Sequence, residues 1–117
     1  MRQLARIVPL ESHGDVVVAQ IEGEIDMSKA QPIGNRLRDL LTNRSEALIV
    51  DLGPTSYLDS SGIALIFALA DELKRRQQVL RLVVPEGSHL MRVLTITGLD
   101  RAVPMHGTLD GALDGVG

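Results

Sequence analysis

The run "ALIVDL", residues 47–52, constrains the fold more than any other stretch of the chain. A strand with one face in water alternates apolar and polar residues, because successive side chains point to opposite faces. Here the residues are apolar without a break until Asp51, so both faces of the strand have to be covered. Strands of that kind belong to parallel sheets packed against helices. "VLRLVVPEG", which begins at Val79, reads as another. The stretches between carry the helical period instead. Ile33, Leu37, Leu40 and Leu41 fall at i, i+4, i+7 and i+8, with Arg36, Arg38 and Asp39 off the stripe. In "GIALIFALADELKRR" the stripe is Ile63, Ile66, Phe67, Ala70 and Leu73, and Lys74, Arg75 and Arg76 close the helix where cations suit its dipole.

At the amino end, "RIVPLES" and "DVVVAQIEG" flank the turn formers "SHGD" and predict a hairpin, with Pro9 restricting its strand to a sheet edge. The first helix has several possible starts. Asp26 or Ser28 can cap it, or it can begin near Ala30, since Pro32 is most comfortable in a first turn. Gly34 costs that helix ~1 kcal/mol relative to alanine. "SHLMRVLTITG" predicts a third helix with Ser88 as cap, Leu90, Val93 and Leu94 inward and Gly98 as the stop. "RAVPM" is read as a short last strand, and Thr108 as the cap of a short final helix. The order β-β-α-β-α-β-α-β-α predicts a single α/β domain over residues 1–117. Its sheet is mostly parallel with an antiparallel N-terminal hairpin at the edge, flanked by about four helices.

Composition narrows the function. A net charge of −3 supplies no general attraction to nucleic acid or to an anionic membrane, and Tyr57 and Phe67 are the only aromatics available for base stacking. No direct nucleic-acid or membrane partner is therefore expected. The absence of cysteine removes disulfides, thiolate nucleophiles and thiolate metal sites. With no apolar run of ~18 residues and no secretory-type start, a cytoplasmic location is the expectation. No metal or cofactor is expected: His13, His89 and His106 form no H-x-x-x-H pair, and Asp26, Asp51 and Asp59 read as loop or capping acids. Phosphate-cradling glycine loops are missing, and neither Ser60 nor Ser61 has the glycine two residues before it that a hydrolase elbow needs. Asp51 at a strand end mimics a phospho-accepting receiver domain, but no lysine follows the last strand. The chain is not expected to be an enzyme.

What remains is "DSSG", 59–62, at the start of the second helix. As structure alone, Ser60 or Ser61 is a good N-cap, its hydroxyl accepting from an orphan N–H of the first turn. The tetrapeptide also belongs to a larger pattern. "IEGEIDMSKA", "LIVDLGPTSYLDSSGIALI" and "LRLVVPEGSHLMRVLTITGLDRAVPM" resemble, in order and spacing, the STAS domain of stand-alone bacterial anti-sigma-factor antagonists, over about Val16 to Leu113. The first helix departs from that pattern at Pro32 and Gly34.

The resemblance implies a STAS-type fold and a binding partner, an anti-sigma factor that is also a serine kinase. The unphosphorylated antagonist would bind it and release a sigma factor. Phosphorylation with ATP and Mg²⁺ would disengage the antagonist, and a PP2C-type phosphatase would reverse the step. In that pattern the acceptor is Ser61 and Asp26 lies beside it. Asp59, Ser60, Gly62, Ala64 and Leu65 would form the adjoining contact face, with Ala68 continuing it; burial of Leu65 in the core is the equal alternative. The alternative implied by the same family is a STAS adaptor subunit of a membrane transport assembly.

Overall fold

The computed structural model describes residues 4–116. Its strands are β1 (Arg6–Pro9), β2 (Val16–Ile25), β3 (Ala47–Asp51), β4 (Thr55–Leu58), β5 (Val79–Val83) and β6 (Met105–His106). The helices are α1 (Met27–Leu40), α2 (Ser60–Arg75), α3 (His89–Ile96), α4 (Leu99–Ala102) and α5 (Leu109–Leu113). Strand order is β1-β2-β3-β5-β6, with β4 set beside β2. The β1–β2 pair is antiparallel and every other pairing is parallel. Pro9 lies on β1, an edge strand, where its missing N–H costs no ladder bond.

The predicted double coverage of the central strand is met. Ala47, Leu48, Ile49 and Val50 are all buried. On one face Leu48, Val50, Ile21, Leu80 and Leu82 join Ile33 and Leu37 of α1 and Ile66, Leu69 and Leu73 of α2 in the main core. On the other, Val16, Val18, Ala47, Ile49 and Val83 pack with Ala112 of α5. Arg81 fastens that small helix, its guanidinium donating to the carbonyls of Ala112 and Asp114 at 2.9 and 2.7 Å.

Two elements go beyond the predicted order. "TSYL" follows Gly53-Pro54 and has no element in the predicted order, yet it forms β4 and pairs with the far end of β2. The ten residues of β2 make this possible. Val16–Gln20 pair with β3, and Gly23, Glu24 and Ile25 pair with β4 through a register shift between Gly23 and Glu24. Thr55 secures the arrangement by donating its hydroxyl to the Ile21 carbonyl at 2.7 Å. The second addition is α4, a single turn begun by Gly98 at φ +82°. Gly98 thus ends α3 as predicted and starts the next turn.

The stripe on α2 also shifts. Phe67, expected inside, is 38% exposed, and Leu65 and Leu69 are buried instead. Phe67 falls on the solvent side of the helix, opposite Leu65 and Leu69, and the apolar period alone does not say which side faces the sheet.

Candidate functional site

At one end of β2 two helices begin side by side. The carbonyl of Ile25 accepts from the Asp59 N–H at 3.2 Å, which ties the last residue of β2 to the residue before α2. Asp26 follows Ile25 and caps α1, its Oδ1 accepting from the Ser28 N–H at 3.0 Å and from the Ser28 hydroxyl at 2.6 Å. Of the possible starts for α1, the one at Asp26 is adopted, and Pro32 lies inside the helix.

The cap of α2 is Asp59, and neither serine holds that place. Asp59 Oδ1 accepts from the Ser61 and Gly62 N–H groups at 2.9 and 3.1 Å. An N-cap has extended backbone, and β4 delivers Asp59 in that state, with φ −89° and ψ −173°. Ser60 and Ser61 are already helical, so their side chains are too far along to cap. Among the described residues, neither hydroxyl has a hydrogen-bond partner. Ser60 is exposed and Ser61 partly so. Around them stand apolar side chains in water: Met27, beside the α1 cap, is 78% exposed, and Tyr57, two residues before Asp59, is 47% exposed.

Gly62, expected on the contact face, is buried, and for Leu65 the core alternative is the one adopted. Gly62 packs against the end of β2: a Cβ there would come to 2.8 Å from Leu58 Cδ2 and 3.3 Å from the Ile25 carbonyl oxygen. Only glycine lets the helix start sit so close to β2, and no partner reaches it. Leu65 is buried because α1 offers it a place. Its Cδ1 lies 2.5 Å from where a Cβ on Gly34 would be, so glycine opens a slot in α1 for the leucine of α2. Ala64 and Ala68 do face solvent.

Between the two helices runs an open groove of about 400 Å³. Ala30, Gln31, Asn35 and Arg38 line it from α1, and Ser61, Ala64, Leu65 and Ala68 from α2. Leu65 is thus part of its floor. At the far end Arg38 donates to Glu72 at 2.8 Å. Sequence reasoning missed the groove, although its signal is present: small residues spaced i, i+4 on both helices, Ala30 with Gly34 and Ala64 with Ala68.

The other candidate acids and histidines do not join this site. Asp51 accepts from Gln20 Nε2 at 3.1 Å and from the Gly53 N–H at 2.8 Å, an arrangement that fixes the turn out of β3. No group of three or more His, Asp or Glu side chains suited to a metal ion occurs among the described residues. No helix among them is long and apolar enough to cross a membrane.

A mixed sheet, two helices starting together at the end of β2, and "GEID" brought against "DSSG" define a domain of the STAS type. The STAS domain model matches residues 8–112, and the chain belongs to that family. It is 31% identical to the anti-sigma-F factor antagonist RsfB of Mycobacterium tuberculosis over 93% of this chain and 88% of that one. It is 29% identical to an anti-sigma-B factor antagonist of Listeria monocytogenes, over 88% of this chain and 86% of the other. Among solved structures, an anti-sigma factor antagonist from Mycobacterium paratuberculosis superimposes with a TM-score of 0.78 at 30% identity, covering 92% of each chain.

Proposed function

We propose that this chain is an anti-sigma-factor antagonist of the cytoplasm, switched by phosphorylation of Ser61. Unmodified, it binds an anti-sigma factor that is also a serine kinase, and a sigma factor is released. The kinase then transfers a phosphoryl group. Ser61 Oγ attacks the γ-phosphorus of ATP held with Mg²⁺ on the kinase, the bond to ADP breaks, and the hydroxyl proton passes to a base of the kinase. A PP2C-type phosphatase hydrolyses the ester and restores the serine. The chain acts as the substrate in both reactions.

One observation carries this reading. Asp59 does the capping, so the Ser61 hydroxyl has no structural task and stands at an open groove. The names of the relatives support the partner class. Phosphate adds about −1.5 to −2 charges beside Asp59 and near Asp26. A partner packed on a bare hydroxyl then meets bulk and unpaired charge. A loss of ~2 kcal/mol there is more than tenfold in affinity.

The test is transfer of labelled phosphate by a purified anti-sigma factor kinase of the same organism. Incorporation of one phosphate by the wild type and none by Ser61→Ala is the expected result. An alanine protein that is still fully modified refutes the assignment of Ser61. Binding to a transport protein, with no anti-sigma factor bound, refutes the antagonist reading in favour of the adaptor.

A further inference from the structure

Along the groove beside Ser61 the exposed residues of the two helices are small or polar: Ser60, Ala64 and Ala68, with Gln31 and Asn35 opposite. Stable complexes cover ~800 Å² on each partner, and their affinity concentrates in aromatic and arginine anchors. In the groove beside Ser61, Arg38 is held by Glu72, and the exposed Tyr57 lies before the helix, on β4; α2 itself carries an aromatic anchor further along. Ser60, Ala64, Phe67, Asp71 and Lys74 follow at i, i+4, i+7, i+11 and i+14, and all are exposed. They form one stripe along the solvent side of the helix. Its far half borders a hollow of about 350 Å³, lined by Phe67, Ala70, Asp71 and Lys74 of α2 and by Arg101 and Ala102 of α4.

The charges in this hollow are unbalanced. Asp71 is ion-paired with Arg75. Lys74 and Arg101 have no carboxylate partner among the described residues, and Phe67 lies open beside them. In a chain of net charge −3, this is a place where an acidic surface is drawn in rather than repelled.

We propose that the hollow is a second docking point for the partner that reads Ser61, filled by an acidic segment with an apolar side chain. The carboxylates of the segment pair with Lys74 and Arg101, and its apolar group covers Phe67 and Ala70. Thirteen steps separate Ser61 from Lys74, ~20 Å along the helix and ~140° around it, with the exposed Ser60 and Ala64 of the stripe between them. That distance fits within the ~30 Å width of an ordinary interface, so one partner covering the solvent side of α2 reaches both points. Ser61 then controls a complex whose anchorage lies mostly elsewhere, which keeps the switch residue small and open to the kinase. This inference rests on the antagonist reading of the chain.

The test is calorimetric titration of the full chain, unphosphorylated and without ATP, against purified anti-sigma factors of the same organism. Phe67→Ala is expected to bind at least tenfold more weakly. Lys74→Glu with Arg101→Glu should also bind at least tenfold more weakly at low salt, and with a flatter dependence on salt. Both proteins should melt within a few degrees of wild type. If both variants bind like wild type, the hollow is refuted while the antagonist reading stands. If the wild type binds none of the anti-sigma factors, both are refuted. A wild-type dimer in sedimentation that Phe67→Ala dissolves assigns the hollow to a second copy of this chain and overturns the proposal.

Discussion

Gly34 shows how far a residue's cost depends on its neighbours. By propensity alone, glycine in the middle of α1 is a defect, and Gly34→Ala gains ~1 kcal/mol. Packing reverses the sign, because the new Cβ would stand 2.5 Å from Leu65 Cδ1 and 3.0 Å from Arg38 Nη1. Leu65 is buried and has little room to withdraw, and overpacking of this kind costs about 1–3 kcal/mol. Gly34→Ala is therefore expected to destabilise the wild type by roughly 1 kcal/mol in urea unfolding. In a Leu65→Ala background the same substitution should stabilise by up to ~1 kcal/mol, since the close neighbour left is the end of the long Arg38 side chain, which can move aside. Equal effects in the two backgrounds would show that the contact is not limiting. Asp59 teaches the same point. The sequence displays an acid and two serines as possible caps, and selection among them depends on where β4 hands over extended backbone.

Among elements, α2 connects the site to the rest of the molecule, and its two ends are made differently. The start uses a side-chain cap. The end is a left-handed reversal in which the Gln78 N–H reaches the Leu73 carbonyl at 2.8 Å and the Gln77 N–H reaches that of Lys74 at 3.0 Å. Glycine normally takes the left-handed position, but here it is Gln77, at φ 59°. Left-handed backbone costs a side-chain-bearing residue ~1–2 kcal/mol, while glycine adds ~0.5–1 kcal/mol of chain entropy to lose. Gln77→Gly should thus stabilise the protein by about 0.5–1 kcal/mol, read from the denaturation midpoint at unchanged m-value. No change would mean that the Gln77 side chain compensates for the strain. Helices were legible because their stripes are long, and the buried side of α1 falls where its period puts it. β4 was not legible. Four residues after Gly-Pro carry no period, and what makes them a strand is the far end of β2, more than thirty residues earlier in the chain.

At the scale of the whole molecule, the proposed phosphorylation of Ser61 is expected to act on binding and leave the fold intact. Phosphate on Ser61 sits in the first turn of a helix, where the dipole favours negative charge by ~0.3–1 kcal/mol, and Asp59 opposes it with like charge. These terms are small and of opposite sign. Phosphorylated protein should keep its far-UV circular dichroism and melt within a few degrees of the unmodified form, while its binding falls more than tenfold. A large drop in melting temperature would instead mean that the modification unfolds the start of α2.

The sequence by itself determined the α/β class, the buried central strand, the edge hairpin and the serine pair at a helix start. Each of these rests on short-range pattern: residue period, turn formers, and side chains within one helical turn. The tertiary structure decided which acid caps α2, that Gly62 and Leu65 lie inside, that Phe67 lies outside, and that a groove joins Ser61 to α1. Those outcomes depend on distances between segments remote in the chain, and no local pattern encodes a distance across the fold.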